Sequence, residues 1–134
     1  TVKAQVVEAL TAFLLKLQSA GLYHRDLKAL NVIVQYNPGA EPQICLVDLD
    51  GIQRTWFSET RGWMRMLMRL NVSVDGFRRV TLADRLRLLL SFLEGIGCRS
   101  EWKQTWRALA AISDRKRRIR SKHQERSFRK YGRF

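Results

Sequence analysis

Residues 23–34 read YHRDLKALNVIV and place four charged residues and an asparagine between two apolar segments. The apolar positions of residues 2–20 recur at helical spacing and end at Gly21, so a helix is predicted directly before this stretch. The run NVIVQY after it has the composition of a short strand, and NPGAEP then predicts a turn. The charged residues are therefore expected in a loop between a helix and a β-hairpin.

The spacing of the polar residues in this loop predicts chemistry. His24-Arg25-Asp26, followed five residues after the aspartate by Asn31, is the catalytic-loop pattern of protein kinases. Transfer of a phosphoryl group needs a carboxylate to orient the attacking hydroxyl, which suits Asp26, and a cation near the phosphate, which suits Lys28. His24 and Arg25 are expected to hold the loop.

A second acidic motif follows the hairpin, in the segment QICLVDLDG, which is predicted to be a buried strand ending in carboxylates. Asp48 comes directly after the apolar run and is predicted to bridge Mg²⁺ together with Asn31. Asp50 is a second metal ligand or a hydrogen-bonding neighbour of Asp48. An alternative register, in which Asp50-Gly51 is the metal-binding pair, stays open. The predicted cofactors are ATP and Mg²⁺, with Lys28, Asn31 and Asp48 contacting the nucleotide and its metal.

The remainder of the chain has the pattern of helices. Residues 59–70 form one helix, Thr81 caps a second that stops at Gly95 or Gly97, and Ser100 is predicted to cap a third that continues into the basic end. The tryptophans at 56, 63, 102 and 106 are interpreted as packing residues. Arg65 and Arg69 are interpreted as a solvated helix face, with contact to an acidic sugar as the alternative.

Charge is concentrated at the end of the chain. The sequence has 25 Lys/Arg against 12 Asp/Glu, and ten of the basic residues stand in 114–134 beside two acidic ones. A polybasic segment is typical of a solvated helix, of a surface that meets anionic lipid, or of a nucleic-acid contact, the last being the less favoured. Cys45 and Cys98 make no disulfide framework, so a reducing compartment is expected.

Beyond the loop, the chain resembles the lipopolysaccharide kinase family. The resemblance is carried by YHRDLKALNVIV, by the D-x-D motif in LVDLDG, and by the succession RGWMRMLMRLNVSV, VTLADRLRLLLSFLEG and WKQTWRALAAISDRKRRIR. It implies the C-terminal lobe of a protein-kinase-like fold, mainly α with a small β-hairpin. Residues 1–113 are that lobe, with catalytic loop 23–35, metal motif 46–51 and helical remainder 58–113, and residues 114–134 are a basic extension.

The resemblance also implies an activity and a place. We expect phosphorylation of a sugar hydroxyl of the lipopolysaccharide inner core, in the cytoplasm of a Gram-negative bacterium or peripherally at its inner membrane. A phosphate-covering loop and a Lys–Glu pair, which a complete kinase carries in an N-terminal lobe, have no counterpart in these residues. The chain is therefore expected to be a fragment that turns over little by itself. The alternatives are a protein or small-molecule kinase and a non-catalytic, anion-binding remnant.

Overall fold

The computed structural model describes residues 1–55 and 59–132, and the side chains of residues 59–61 and 131 lie outside that description. Trp56, Arg133 and Phe134 therefore fall outside the described residues. The four helices are α1 (Val2–Ser19), α2 (Glu59–Ser73), α3 (Leu82–Gly95) and α4 (Trp102–Tyr131). The four short strands are β1 (Leu22–His24), β2 (Val32–Gln35), β3 (Gln43–Leu46) and β4 (Ile52–Arg54). The predicted fold class, mainly α with a small β part, is confirmed.

The strands form two antiparallel ribbons that bring the two polar motifs together. β2 pairs with β3, with Val32 opposite Leu46, which is the predicted hairpin. β1 pairs with β4, with His24 opposite Ile52, a pairing that the sequence pattern did not indicate. Because the catalytic loop leaves β1 and the acidic motif enters β4, this second ribbon holds the two loops side by side.

The prediction that the segment after the turn is a buried strand is wrong. Gln43 and Cys45 of β3 are exposed, and Ile44 and Leu46 are half-buried. A two-stranded ribbon covers only one face of each strand, and alternate side chains point to opposite faces. The apolar composition of QICLV indicated a strand, but it did not indicate that the ribbon lies at the surface.

A single apolar core joins the helices to the catalytic loop. Leu27, in the middle of that loop, is fully buried, as are Leu14 of α1 and Phe92 of α3. Trp63 is buried, with its ring centroid 5.5 Å from that of Phe92. Trp102 and Trp106 pack half-buried against the same core, so the predicted packing of these three tryptophans is confirmed. The loop is thus anchored by a leucine and is not free to move as a surface turn.

Helix α3 begins at the predicted cap. The Thr81 hydroxyl accepts from the Asp84 amide at 3.2 Å, and the Asp84 carboxylate accepts from the Thr81 amide at 2.9 Å. Lys3 of α1 makes an ion pair with the same carboxylate at 2.7 Å, which ties α1 to α3. These contacts, the Lys3 hydrogen bond first and then those of Thr81, hold the pKa of Asp84 well below its usual 3.8.

We expect Asp84→Asn to flatten the acid dependence of stability. A depressed folded-state pKa adds stability above pH 3.8 and loses it as the pH falls through the folded pKa. The variant should lose about 0.5–1 kcal/mol of unfolding free energy at pH 7, because the ion pair is partly exposed and the amide keeps the hydrogen bonds. Urea unfolding at pH 7, 4 and 2.5 measures this. Equal pH slopes for the variant and the wild type would contradict it.

Helix α4 begins one residue later than predicted and runs through the basic segment. Ser100 lies in a 3₁₀ turn, Arg99–Glu101, and the N-cap position belongs to Glu101, which makes no side-chain capping bond. The predicted cap at Ser100 is therefore wrong, because the 3₁₀ turn satisfies the first backbone groups instead. The predicted continuation into the basic residues is confirmed, since the helix is unbroken to Tyr131. The domain boundary at 113/114, which this helix crosses, stays a prediction.

Two polar contacts fix α4 against α2. The Asn71 side-chain amide donates to the Ser113 hydroxyl at 2.8 Å. Asp75, in the turn just after α2, accepts from Arg117 of α4 at 3.0 Å and from Arg85 of α3 at 2.8 Å, so one carboxylate joins α3 and α4. Burial would raise the pKa of Asp75, but Arg117 and Arg85 outweigh burial and lower it. The first turns of the basic segment are therefore held at a defined position.

Candidate active site

The catalytic loop is held from below by α2. The amide of Ala29 donates to the Ser73 hydroxyl at 2.8 Å, and that hydroxyl donates to the carbonyl of Leu70 at 2.7 Å. A 3₁₀ turn, Ala29–Asn31, then carries the chain into β2. Together with buried Leu27, these bonds fix the backbone on both sides of Lys28.

His24 joins the catalytic loop to the acidic motif. Its side chain is fully buried; Nδ1 accepts from the Asp26 amide at 3.2 Å, and Nε2 lies 2.8 Å from the Asp48 carbonyl. A backbone amide can only donate, so Nδ1 carries no proton and Nε2–H donates to the carbonyl. The imidazole is thus neutral and one ring positions both aspartates. The prediction that His24 holds the loop is confirmed.

Backbone bonds add to this junction. The amide of Arg25 donates to the Gly51 carbonyl, and the amide of Val47 donates to the Asn31 carbonyl, each at 2.9 Å. Arg25 itself is exposed, and its side chain lines the cleft described below.

Gly51 is required by the contact with His24. A Cβ atom at this position would lie 2.6 Å from Nδ1 and 2.7 Å from Nε2 of the buried ring. Real Cβ contacts are essentially never that short, and the ring is held at both nitrogens. The glycine of the DLDG motif therefore makes room for the histidine of the catalytic loop.

Asp48 has an unusual backbone. With φ 62° and ψ 64° it is left-handed, and it is the single non-glycine residue with positive φ in the described ranges 1–55 and 59–132. Aspartate tolerates this conformation better than most residues, and strain of this kind concentrates at functional sites. The hydrogen bond from His24 to its carbonyl holds the conformation.

Four of the five predicted site residues line one open cleft. Its volume is about 370 Å³, and its lining joins both polar motifs to two arginines of α2: Arg25, Asp26, Lys28, Asp48, Asp50, Gly51, Arg65 and Arg69. Asp26, Lys28, Asp48 and Asp50 are thus brought together. Asn31 does not line the cleft; its side-chain amide lies 3.5 Å from the Asp26 carbonyl, beneath the loop.

Asp26 is the charged centre of this cleft. Its Oδ2 pairs with Lys28 Nζ at 2.9 Å, and its Oδ1 lies 3.6 Å from Arg69 Nη1. The hydrogen bond from Lys28 lowers the pKa of Asp26 against partial burial, helped by the charges of Lys28 and Arg69. Oδ1 is covered from solvent and has no hydrogen-bond partner, because 3.6 Å is too long for one. One oxygen of the carboxylate therefore keeps an unused acceptor position beside Arg69.

Sequence reasoning underestimated Arg65 and Arg69. They stand four residues apart on α2 and both line the cleft, and Arg69 is half-buried beside Asp26. The interpretation as a solvated face is wrong for Arg69. Their helical spacing was visible in the sequence, but the side of α2 that meets the catalytic loop was not.

The donor set of the cleft fits a metal ion that arrives with phosphate. Asp48 and Asp50 offer carboxylate oxygens. No group of three or more His, Cys, Asp or Glu side chains is arranged to hold a metal within the described part of the chain. Mg²⁺ keeps several ligand positions for water and nucleotide phosphates and needs only one or two protein carboxylates. The residues therefore suit magnesium bound to a nucleotide.

A second pocket, of about 260 Å³, lies between α1, α2 and α3. Its walls are apolar, with Val6, Leu10 and Leu88 among them, and Lys3, Asp84 and Arg85 form its polar rim. Those charged groups already serve the helix contacts described above. The polar cleft is therefore the candidate active site.

A buried histidine joins the catalytic loop to the acidic motif beside a helical core, which is the arrangement expected of a protein-kinase-like fold. A family model described as Lipopolysaccharide kinase (Kdo/WaaP) family matches residues 1–110. The chain belongs to that family. No curated protein and no solved structure matches the chain. The family match ends just before the polybasic segment.

Proposed function

We propose that this chain carries the catalytic lobe of a kinase that transfers phosphate from Mg²⁺-bound ATP to a sugar hydroxyl of the lipopolysaccharide inner core. Membership of a kinase family supports the transfer itself. The observation that carries the proposal is the single cleft in which Asp26 and Lys28 meet Asp48 and Asp50. The family description, a lipopolysaccharide kinase, supports a lipopolysaccharide sugar as the acceptor.

Asp26 receives the acceptor hydroxyl in this proposal. Its lowered pKa keeps the carboxylate ionised at neutral pH and makes it a weak base. Its main contribution is therefore to accept a hydrogen bond from the hydroxyl, orient it towards the phosphate and take its proton late in the transfer. Oδ1 has no hydrogen-bond partner in the protein, so an acceptor hydroxyl that reaches it could donate to it.

Lys28 and the acidic motif receive the phosphates. Lys28 stands 2.9 Å from Asp26 and would place its ammonium group beside the phosphoryl group as it passes to the acceptor. Asp48 is proposed as the principal metal ligand, since the bond from His24 fixes its backbone, and Asp50 and Asn31 complete the set. Magnesium, when bound, would neutralise part of the negative charge of the phosphates.

The basic segment is proposed to lie on an anionic surface. Arg115, Arg118 and Lys122 are exposed and share one side of α4. Each such residue adds about 1 kcal/mol near anionic lipid. No helix in the described residues combines the length and apolar character that a membrane span needs. A cytoplasmic location, peripheral to the inner membrane, is the corresponding proposal.

The same charge favours a second candidate function, that of a non-catalytic module which binds anionic lipid or nucleic acid. A protein or small-molecule kinase is the alternative within the enzyme class. Transfer of label from γ-³²P-ATP to rough lipopolysaccharide, to casein and to a free sugar distinguishes the proposed function from these two alternatives. The proposal expects label on the core oligosaccharide after mild acid hydrolysis. Label on casein supports the protein kinase, and anion binding that survives the loss of Asp26, Asn31 and Asp48, without transfer to any acceptor, supports the non-catalytic module.

A further inference from the structure

The turn that follows Lys28 in the catalytic loop is capped by another helix. This 3₁₀ turn closes with a bond from the Asn31 amide to the Lys28 carbonyl at 2.9 Å, but the first amides of a helical turn need partners from outside it. The Ser73 hydroxyl, at the end of α2, accepts from the Ala29 amide at 2.8 Å. The same hydroxyl donates to the Leu70 carbonyl at 2.7 Å, which fixes its direction. Ser73 thus sets where the turn begins.

Bonds to α4 hold the end of α2 on both sides of Ser73. On the N-terminal side, the Asn71 side-chain amide donates to the Ser113 hydroxyl at 2.8 Å. On the C-terminal side, the Asp75 carboxylate accepts from Arg117 at 3.0 Å. The last turn of a helix frays unless its polar groups find partners, so these two bonds keep Ser73 in place beneath the catalytic loop.

The two bonds differ in burial. Ser113 is buried, with 3% of its surface exposed, so its bond to Asn71 is shielded from water. The Arg117 side chain is 54% exposed, where an ion pair contributes little, and Asp75 is also held by Arg85 of α3. The link from α4 to the end of α2 therefore depends mainly on Ser113. This residue lies beyond the range 1–110 that the family model matches.

We propose that Ser113 is a positioning residue for phosphoryl transfer, which acts through the end of α2 on the turn that follows Lys28. The inference rests on the proposed function, because it takes Lys28 as the cation that meets the phosphate. Without the Ser113 bond, the last turn of α2 shifts and the Ala29 amide loses its fixed acceptor. Lys28 is then held less closely at the position that transfer needs. The first turns of α4 thus serve the active site.

Hydrogen exchange at the Ala29 amide tests the link from α4 to the turn without any turnover. In the ¹⁵N-labelled chain, Ser113→Ala should speed this exchange about two- to tenfold relative to the core amide of Phe92, the effect expected from one lost hydrogen bond. Ser73→Ala removes the acceptor of the Ala29 amide itself and should speed the exchange at least about tenfold. Ser73→Thr keeps a hydroxyl at this position and should restore the wild-type exchange rate.

Ser121→Ala provides the control, because it makes the same substitution at an exposed position further along α4. Its exchange at Ala29 should equal that of the wild type. If Ser113→Ala behaves like this control, or if it speeds exchange at Ala29 and Phe92 equally, the inference is overturned. Should Ser113→Ala not fold, Ser113→Cys nearly keeps the volume of the side chain but offers only a weak acceptor. The same selective change is expected there, and its absence is equally decisive.

Single-turnover transfer from γ-³²P-ATP separates this inference from the proposed function. At saturating Mg²⁺·ATP the rate should fall about tenfold in Ser73→Ala and about two- to tenfold in Ser113→Ala, and Ser73→Thr should recover it. Wild-type rates in both alanine variants would overturn the inference and leave the proposed function intact. If the wild type transfers no phosphate, the proposed function fails. Selective exchange at Ala29 then still supports the link from Ser113 to the turn, and uniform or unchanged exchange still overturns it.

Discussion

Asp26→Asn should lower phosphoryl transfer by about 10²–10⁴-fold, the range that a positioned acid–base group contributes. The amide has nearly the same shape, but it cannot take a proton and it presents only one oxygen to the hydroxyl. It also releases Lys28 and Arg69 from their carboxylate. Single-turnover transfer from γ-³²P-ATP, with the protein in excess over ATP and the wild type alongside, measures the loss even where turnover is slow.

Stability and nucleotide binding should change little in this variant. Asp26 is partly exposed and its pair with Lys28 is at the surface, where such pairs contribute about 0–1 kcal/mol. Asp114→Asn is the matched control, because Asp114 is also an aspartate paired with a basic residue at the surface, on α4 and outside the cleft. Its transfer rate should equal that of the wild type. A similar fall in the transfer rate of both variants, or a wild-type transfer rate in Asp26→Asn, would remove Asp26 from the mechanism.

Gly51→Ala should destabilise the fold and disconnect the two motifs. The added methyl would overlap the His24 ring, which cannot move without breaking its bonds to Asp48 and to the Asp26 amide. Overpacking of this kind costs about 1–3 kcal/mol. We expect a loss in that range by urea unfolding, together with a loss of Mg²⁺·ADP affinity.

Gly76→Ala is the control for this effect. Gly76 lies in the loop between α2 and α3, and a Cβ atom there would have no neighbour within 4 Å. Its stability should stay within about 0.5 kcal/mol of the wild type, as is usual for surface changes. If Gly51→Ala matched this control, the His24–Gly51 contact would have no part in holding the site.

Local sequence was sufficient for the catalytic loop because the loop is a local structure. The spacing from His24 to Asn31, the helix before it and the hairpin after it all lie within a short segment. The capping box at Thr81 and the turn at residues 37–42 were predictable for the same reason. The pairing of β1 with β4 joins residues about 30 apart, and three-residue strands carry too little pattern to show it.

The surroundings of Asp26 depend on contacts between distant elements. Arg69 reaches the cleft only because α2 packs beneath the catalytic loop. An arginine on a polar helix face looks solvated until the neighbouring element is known. The exposure of β3 could not be predicted either. Its apolar residues indicated a strand, but they did not show whether another element covers that strand.

We propose that a metal-bound nucleotide lies between the catalytic loop and the acidic motif. Titration of the ¹⁵N-labelled chain with Mn²⁺·ADP tests it most directly, because Mn²⁺ broadens nearby amide signals. We predict broadening centred on residues 26, 31 and 48–51, abolished by Asp48→Asn and weakened less by Asp50→Asn. Broadening centred on residues 115–122 of α4, or none at the catalytic loop, would contradict the account.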